Sequence, residues 1–226
     1  MAILAAGTAS RAGFDKIAAD LGGQPVIAWS LASGVAAGRF DEIVVVAPAE
    51  KLQPIAQLVR GVARSARLVA GGATRTASSW AALDSLGNVD VIAIHDAARP
   101  FVPPSLFARC VDIAVAEGSA VAGLPLADTV RRADEAGAAV EEVSREGLWS
   151  VQTPQVFKRE LLERARAAAG DRSFGDDAAA LVAVGLRAKM VLGERRNLKI
   201  TTFEDLAYAR ELVAKGVIGF PALQVR

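Results

Sequence analysis

The chain has 226 residues, is 52% apolar but only 5% aromatic, and carries a formal net charge of +1. This length suits one large α/β domain with an aliphatic core, and the lack of a basic excess speaks against nucleic acid or an anionic membrane surface as a partner. A single cysteine, Cys110, and a single histidine, His95, exclude an internal disulfide, a Cys-rich metal site and a two-histidine zinc site built by one chain.

Residues 1–6 read as a first strand. The loop leaving it runs Ala5-Ala6-Gly7-Thr8-Ala9-Ser10-Arg11-Ala12-Gly13-Phe14-Asp15-Lys16. Small residues let a backbone approach a ligand closely, and successive N–H groups can cradle phosphate oxygens. Arg11 and Lys16 bring two positive charges to the same place, where phosphoryl or nucleotidyl transfer builds negative charge. The loop is not a Walker A motif: Lys16 is not adjacent to Gly13, and Ile17 stands where a metal-binding hydroxyl belongs. Ala9 breaks the dinucleotide fingerprint as well. Taken alone, the loop also reads as a surface turn with two solvated cations.

A helix over 25–37, a buried strand at 42–47 and a helix over about 49–62 come next. A third strand covers 66–70, Gly71-Gly72 turns the chain into a helix over 75–85, and a fourth strand at 89–94 ends at His95-Asp96. A helix over 104–117 then leads to a strand at 119–124. This alternation predicts a mostly parallel sheet with helices on both faces. Residues 128–150 are more polar, with two short strands around Asp134-Glu135-Ala136-Gly137, which fits a hairpin. It reads either as an arm that packs on a partner chain or as a solvated surface hairpin. Helices at 158–169 and 176–184, a strand at 188–192 and a helix at 203–215 complete a single domain over 1–226.

Ligands of open parallel sheets bind beyond the carboxyl ends of the strands. After the third strand, Gly72, Arg75 and Ser78 are candidates for a polar ligand at a helix start, with Thr74 as an ordinary cap as the alternative. After the fourth strand, Asp96 could orient a sugar hydroxyl or a phosphate-bound magnesium, and Arg99 could clamp a phosphate; an Asp96–Arg99 pair closing the turn is the plain alternative. His95 reads equally as a packed turn residue or a proton carrier. Thr129, Arg145, Thr153 and Lys199 form a dispersed group, and spacing alone does not say whether Lys199 faces solvent or a site. Asp176-Asp177 reads as a helix N-terminus, and Cys110 as a buried, inert thiol.

These motifs, in this order, resemble the 2-C-methyl-D-erythritol 4-phosphate cytidylyltransferases of the non-mevalonate isoprenoid pathway. The resemblance rests on Ala5-Ala6-Gly7 with Arg11 and Lys16, Gly71-Gly72 with Arg75 and Ser78, and His95-Asp96-Ala97-Ala98-Arg99-Pro100. It continues through Asp128-Thr129, Arg145-x-Gly147-Leu148-Trp149, Gln152-Thr153-Pro154-Gln155, Asp176-Asp177-Ala178 and Leu198-Lys199-Ile200-Thr201. It implies a Rossmann-like nucleotidyltransferase domain with a protruding β-hairpin arm, and transfer of CMP from CTP to methylerythritol phosphate with release of pyrophosphate. By the likeness, Arg11 and Lys16 are catalytic; Ala5, Ala6, Gly7, Gly72, Arg75 and Ser78 hold the nucleotide; and Asp96, Arg99, Thr129, Arg145, Thr153 and Lys199 surround the polyol phosphate. No residue is assigned as a metal ligand, because magnesium would be held mainly by the CTP phosphates. A homodimer is implied, with the 128–150 arm supplying Thr129 and Arg145 across the interface.

The chain departs from that pattern in places. The first loop is about two residues short between Arg11 and Lys16, Asp15 replaces the usual Pro, Ala9 replaces a Gly, and Ala73 replaces an acidic residue. Asp15 could partly neutralise Lys16 or assist magnesium. The chain begins almost inside the first strand, which suggests a longer native start. With no basic segment ahead of an apolar run and no stretch of roughly 18 apolar residues, a cytoplasmic protein is expected. Rival readings are a cytidylyltransferase for another polyol phosphate such as ribitol 5-phosphate, a nucleotide-sugar glycosyltransferase, and a non-catalytic nucleotide-binding regulator. Asp96 lacks the second Asp that the glycosyltransferase reading would want.

Overall fold

The computed structural model describes residues 1–6 and 14–223, so Gly7 and Arg11 of the first loop lie outside the described residues. The first half of the chain forms β1 (Ala2–Leu4), a small hairpin of β2 (Asp20–Leu21) and β3 (Gln24–Pro25), α1 (Val26–Ala36), β4 (Val44–Ala47), α2 (Leu52–Val59), β5 (Arg67–Ala70), α3 (Arg75–Ser85) and β6 (Val91–Asp96). Then come α4 (Pro104–Glu117), β7 (Ser119–Pro125), β8 (Val130–Ala133), β9 (Ala139–Val143), β10 (Trp149–Lys158), α5 (Arg159–Ala169), α6 (Asp177–Val182), β11 (Met190–Leu192) and α7 (Phe203–Ala214).

Seven strands form one sheet in the order β11-β7-β10-β6-β1-β4-β5. The pairs β1–β4, β1–β6, β4–β5 and β7–β11 are parallel, whereas β10 runs antiparallel to both β6 and β7. The expected alternation of strand and helix is therefore present, with one antiparallel strand inserted into the middle of the sheet. The period-two geometry of a strand splits its side chains between two faces. Ile3, Val45 and Ala93 join Leu31, Ile55, Leu106 and Phe107 of α1, α2 and α4 in one buried cluster. Ala2, Leu4, Val44, Val46, Ile92 and Ile94 join Leu83 of α3, Leu162 of α5 and Leu181 of α6 in the other. Strands buried on both faces read as continuous apolar runs, which is why Val44-Val45-Val46 and Ile92-Ala93-Ile94 were legible.

Neither β10 nor the β2–β3 hairpin follows from the sequence pattern. Ser150, Gln152, Thr153 and Gln155 interrupt any apolar alternation, and Pro154 argues against a central strand. The chain accommodates the proline where the β10–β7 register shifts between Val151 and Gln155, while Gln155–Lys158 alone pair with β6. In the small hairpin, Gly22 and Gly23 take φ of +63° and +81°, the two positive values that a tight primed turn requires. Strands β8 and β9 pair with each other as a separate two-stranded sheet within the expected 128–150 hairpin, and most of their residues are exposed. Among the described residues no helix is long and apolar enough to cross a membrane.

Candidate active site

The parallel strands bring the ends of β1, β4, β5 and β6 to one edge of the sheet. After leaving β1 the chain builds β4 and β5 on one side of it, then returns to build β6 on the other. This strand reversal is the place where open α/β sheets bind ligands. Hydrogen bonds from Ala5 N to Val46 O (2.7 Å) and from Ala97 N to Leu4 O (2.9 Å) lace the three strand ends together.

Asp96, the last residue of β6, is the electrostatic centre. It is 8% exposed, and its carboxylate lies 2.7 Å from Lys199 Nζ, 3.7 Å from Arg99 Nε and 3.9 Å from Arg75 Nε. Burial alone would raise its pKa, but Lys199, Arg75 and Arg99 together hold it at about 2. Lys199 thus aims into the site, which resolves the ambiguity of its spacing. These residues line a cavity of about 370 Å³ with Thr153, Gln155, Asp176 and others.

The two arginines differ. Arg99 donates from its Nη atoms to Asn197 O (2.8 Å) and Val151 O (3.4 Å), and burial works against its charge; its Nε has no hydrogen-bond partner. The Asp96–Arg99 pair does help close the turn, with Arg99 N donating to Asp96 O (3.0 Å), but Lys199 is the nearer ion partner. Arg75 stands at the start of α3. Burial opposes its charge, but Asp177, 2.7 Å from its Nη2, and Asp96 outweigh that penalty and raise its pKa. Arg75 Nη1 and Asp177 Oδ2 are buried without a hydrogen-bond partner, so the pair is an ion contact with spare hydrogen-bonding capacity.

A polar chain fixes the position of Asp96. Its backbone N–H donates to Thr153 Oγ1 (3.0 Å), the Thr153 hydroxyl donates to His95 Nδ1 (3.0 Å), and His95 Nε2 donates to Arg99 O (3.2 Å). This sequence of donors requires a neutral imidazole. Burial agrees, pushing the pKa of His95 down to about 4. His95 is therefore a packed turn residue and not a carrier of protons to solvent. Thr153 meets Asp96 through the backbone rather than through the carboxylate.

Several residues of the site escaped the sequence reading. Gln155 Oε1 accepts from the N–H groups of Asp177 and Ala178, both at 3.1 Å. Gln152 Oε1 and Thr153 O accept from Asn197 Nδ2 at 3.2 and 2.8 Å. These contacts clasp β10 to the segments that carry Asp177 and Lys199. Asp177, read as a helix-terminus carboxylate, is 3% exposed and serves as the counter-ion of Arg75, while Asp176 is the cap, accepting from Ala179 N at 2.7 Å. The signal was there: a run of buried-type polar residues, Gln-Thr-Pro-Gln, in the middle of an aliphatic fold.

Of the nucleotide candidates that the structure describes, Ala6 and Ser78 meet beside the glycine pair. A side chain at Gly71 would come within 2.9 Å of Ala6 and 2.8 Å of Ser78 Oγ, and one at Gly72 would collide with Ala77. Thr74 caps α3, accepting from Ala77 N at 3.0 Å, and Ser78 Oγ donates to Thr74 O at 2.9 Å. The glycine pair is thus required by packing against α3, and the cap predicted as the plain alternative is present. Asp15 pairs with Lys51 at 2.7 Å, beside the half-buried Lys16. Thr129 and Arg145 are exposed on the hairpin and are not among the residues lining the Asp96 cavity. Arg145 donates to Ala127 O, within the base of its own arm.

A family model described as "IspD: 2-C-methyl-D-erythritol 4-phosphate cytidylyltransferase" matches residues 1–215. The chain is 42% identical over 227 residues to the "Bifunctional enzyme IspD/IspF" of Anaeromyxobacter sp., covering 96% of this chain but 58% of that protein. It therefore spans little more than half the length of that relative. It is 39% identical over 215 residues to the 2-C-methyl-D-erythritol 4-phosphate cytidylyltransferase of Rhodococcus opacus, covering 94% of this chain and 93% of that protein. The crystal structure of the enzyme of that name from Thermus thermophilus superposes with a TM-score of 0.78 at 33% identity, covering 94% of this chain and 98% of the other. With Asp96, Arg99, Arg75, Thr153 and Lys199 gathered at the strand reversal and the family model matching residues 1–215, the chain belongs to the 2-C-methyl-D-erythritol 4-phosphate cytidylyltransferase family.

Proposed function

We propose that the chain transfers the CMP moiety of CTP to 2-C-methyl-D-erythritol 4-phosphate, giving CDP-methylerythritol and pyrophosphate. The observation that carries this reading, beyond family membership, is the buried Asp96 carboxylate surrounded by Lys199, Arg99 and Arg75 in a cavity sized for a small polar ligand. Two guanidinium N–H groups there, Arg75 Nη1 and Arg99 Nε, have no internal hydrogen-bond partner. An incoming phosphate or hydroxyl oxygen would satisfy them.

A phosphate oxygen of the polyol phosphate attacks the α-phosphorus of CTP, and the bond from that phosphorus to the pyrophosphate oxygen breaks. No protein nucleophile is needed. Asp96, kept ionised, accepts from polyol hydroxyls, while Lys199 and Arg99 face the attacking phosphate. Arg11 and Lys16 stabilise the triphosphate and the charge of the transition state, and Ala5, Ala6, Gly7, Gly72, Arg75 and Ser78 border the nucleotide. A cation about 4 Å from that charge contributes about 4 kcal/mol at an effective dielectric near 20.

Magnesium is part of this reading as a cation carried by the CTP phosphates, whose charge it neutralises when bound. The charge of Asp96 is already countered by Lys199, Arg99 and Arg75, which supports reading the ion as one brought by the nucleotide phosphates. The active form is read as a homodimer in which the exposed arm carries Thr129 and Arg145 to the polyol phosphate of the neighbouring subunit. The reading places the enzyme in the cytoplasm.

The test is pyrophosphate release with CTP, magnesium and methylerythritol phosphate, run beside ribitol 5-phosphate and the other three nucleoside triphosphates. Release that requires CTP and methylerythritol phosphate is expected. Release with ribitol 5-phosphate alone would change the substrate, and silence with every pair would overturn the reading.

A further inference from the structure

Phe14 and Phe203 meet edge to face, with ring centroids 6.1 Å apart and an interplanar angle of 84°. Phe14 opens the described segment that carries Lys16, and Phe203 is the first residue of α7, just after the segment that carries Lys199. Phe203 is 60% exposed, whereas α7 packs through Leu206 and Ala209. An exposed ring at that position adds little to the core, so its contact with Phe14 is what distinguishes it.

Both backbones are anchored by hydrogen bonds. Thr201 N and Thr202 N donate to Asp205 Oδ2 at 2.8 and 2.9 Å within the capping box of α7, and Ile200 N donates to Ala98 O at 2.8 Å. Between these anchors and β6, Lys199 holds Asp96. On the other segment, Ala19 N donates to Asp15 O and Ile27 N to Ile17 O, both at 3.0 Å. The Asp15–Lys51 pair on that segment is exposed on both partners, and water screens such a pair too strongly for it to fix a position by itself. Ile17 is buried in the core, and Phe14 and Ala19 pack with Leu198, Ile200 and Leu206 in one apolar cluster; to that packing the aromatic contact adds a preferred geometry.

We propose that the Phe14–Phe203 contact is a positioning device that sets the Lys16 segment against the Lys199 segment, and so sets the spacing of the two cations. This rests on the reaction assigned above, which uses both. Misplacing a reacting group by about 1 Å can cost on the order of a hundredfold in rate, so even a partial shift is measurable.

The experiment compares Phe203→Ala, Phe203→Tyr, Phe14→Ala and the Phe14→Ala/Phe203→Ala double variant by steady-state kinetics, with amide hydrogen exchange at Ala19. Phe203→Ala is expected to lower kcat/KM by about tenfold, Phe203→Tyr to stay within about twofold of wild type, and the double variant to be no worse than either single one. Exchange at Ala19 should quicken in Phe203→Ala, while the thermal midpoint holds, since the lost ring is exposed and alanine favours the helix. Kinetics unchanged in Phe203→Ala, additive losses in the double variant, or a loss of activity with Ala19 exchange unchanged would each overturn the proposal. A wild-type chain silent toward CTP and methylerythritol phosphate, with Ala19 exchange still quickened by Phe203→Ala, would remove the assigned reaction and keep the positioning contact.

Discussion

The Asp96 cavity and the 128–150 arm both hold paired charges, but they use them in opposite ways. In the cavity, one carboxylate is shared by Lys199, Arg99 and Arg75, and polar atoms of two arginines are left without hydrogen bonds. On the arm, Arg131–Glu142 (2.9 Å) and Arg132–Glu141 (2.7 Å) pair one to one across β8 and β9, more than half exposed on every partner. The arm pairs sit in water, lie opposite each other across the hairpin and are worth about 0–1 kcal/mol each. The cavity ions are packed where interactions are strong and unpaired donors are costly. The cavity thus keeps donors that an incoming oxygen would satisfy, whereas the arm spends its charges on itself and, as a lone two-stranded hairpin, is marginal in isolation.

The largest expected effect tests the cavity half of this contrast. Asp96→Asn keeps the backbone bond to Thr153 but removes the charge at the centre of three cations; turnover should fall by on the order of a hundredfold to a thousandfold. Turnover above about a tenth of wild type would mean that the chemistry does not depend on that carboxylate.

The second prediction concerns pH. His95 is buried neutral with a pKa near 4, against 6.5 when free. Between those values the unfolded chain binds a proton that the folded chain does not, so stability falls as pH drops from about 6.5 to 4, by about 3 kcal/mol in all. Asp96, held near 2, adds a further loss only below pH 4 as its carboxylate is protonated. Burial also holds the Met1 amine down to about 5, which adds a slope of the same sign, so denaturant titrations from pH 7 to 4 should show a combined slope that His95→Gln lessens without removing; an equal slope in both proteins would show that His95 does not titrate there.

Smaller effects are expected from the arm. Arg145→Ala should raise KM for the polyol phosphate by roughly tenfold, in line with loss of a charge-assisted hydrogen bond, and leave KM for CTP within about twofold. Equal changes in both constants would place Arg145 at neither substrate in particular. Arg132→Ala should change stability by no more than about 0.5 kcal/mol, measured by denaturant unfolding. A larger loss would show that the arm pairs do more than hold the hairpin.

The same contrast explains what the sequence made legible. The parallel strands were readable because burial on both faces demands unbroken runs such as Val44-Val45-Val46. Helix α3 was readable from Gly71-Gly72 and Thr74, because Gly72 and the Thr74 cap act within the turn itself. Strand β10 was hidden because its central residues, Gln152, Thr153 and Gln155, are polar and answer to distant partners: Asn197, His95 and Asp177. No periodicity reports a partner that far along the chain. Motif order identified Asp96, Arg99, Arg75 and Lys199, but only the fold shows that one carboxylate joins them and that Asp177 balances Arg75.

In the proposed dimer the cavity of one chain is completed by the arm of another. Mixing Lys16→Ala and Arg145→Ala chains tests it most directly, because each variant lacks one half of the site. If the arm acts across the interface, half of the randomly formed dimers contain one intact site, and at polyol phosphate well below KM, where Arg145→Ala alone keeps about a tenth of the rate, about a quarter of wild-type activity should return on mixing. If activity stays at the level of the separate variants, the arm serves its own chain or none, and the shared site is contradicted.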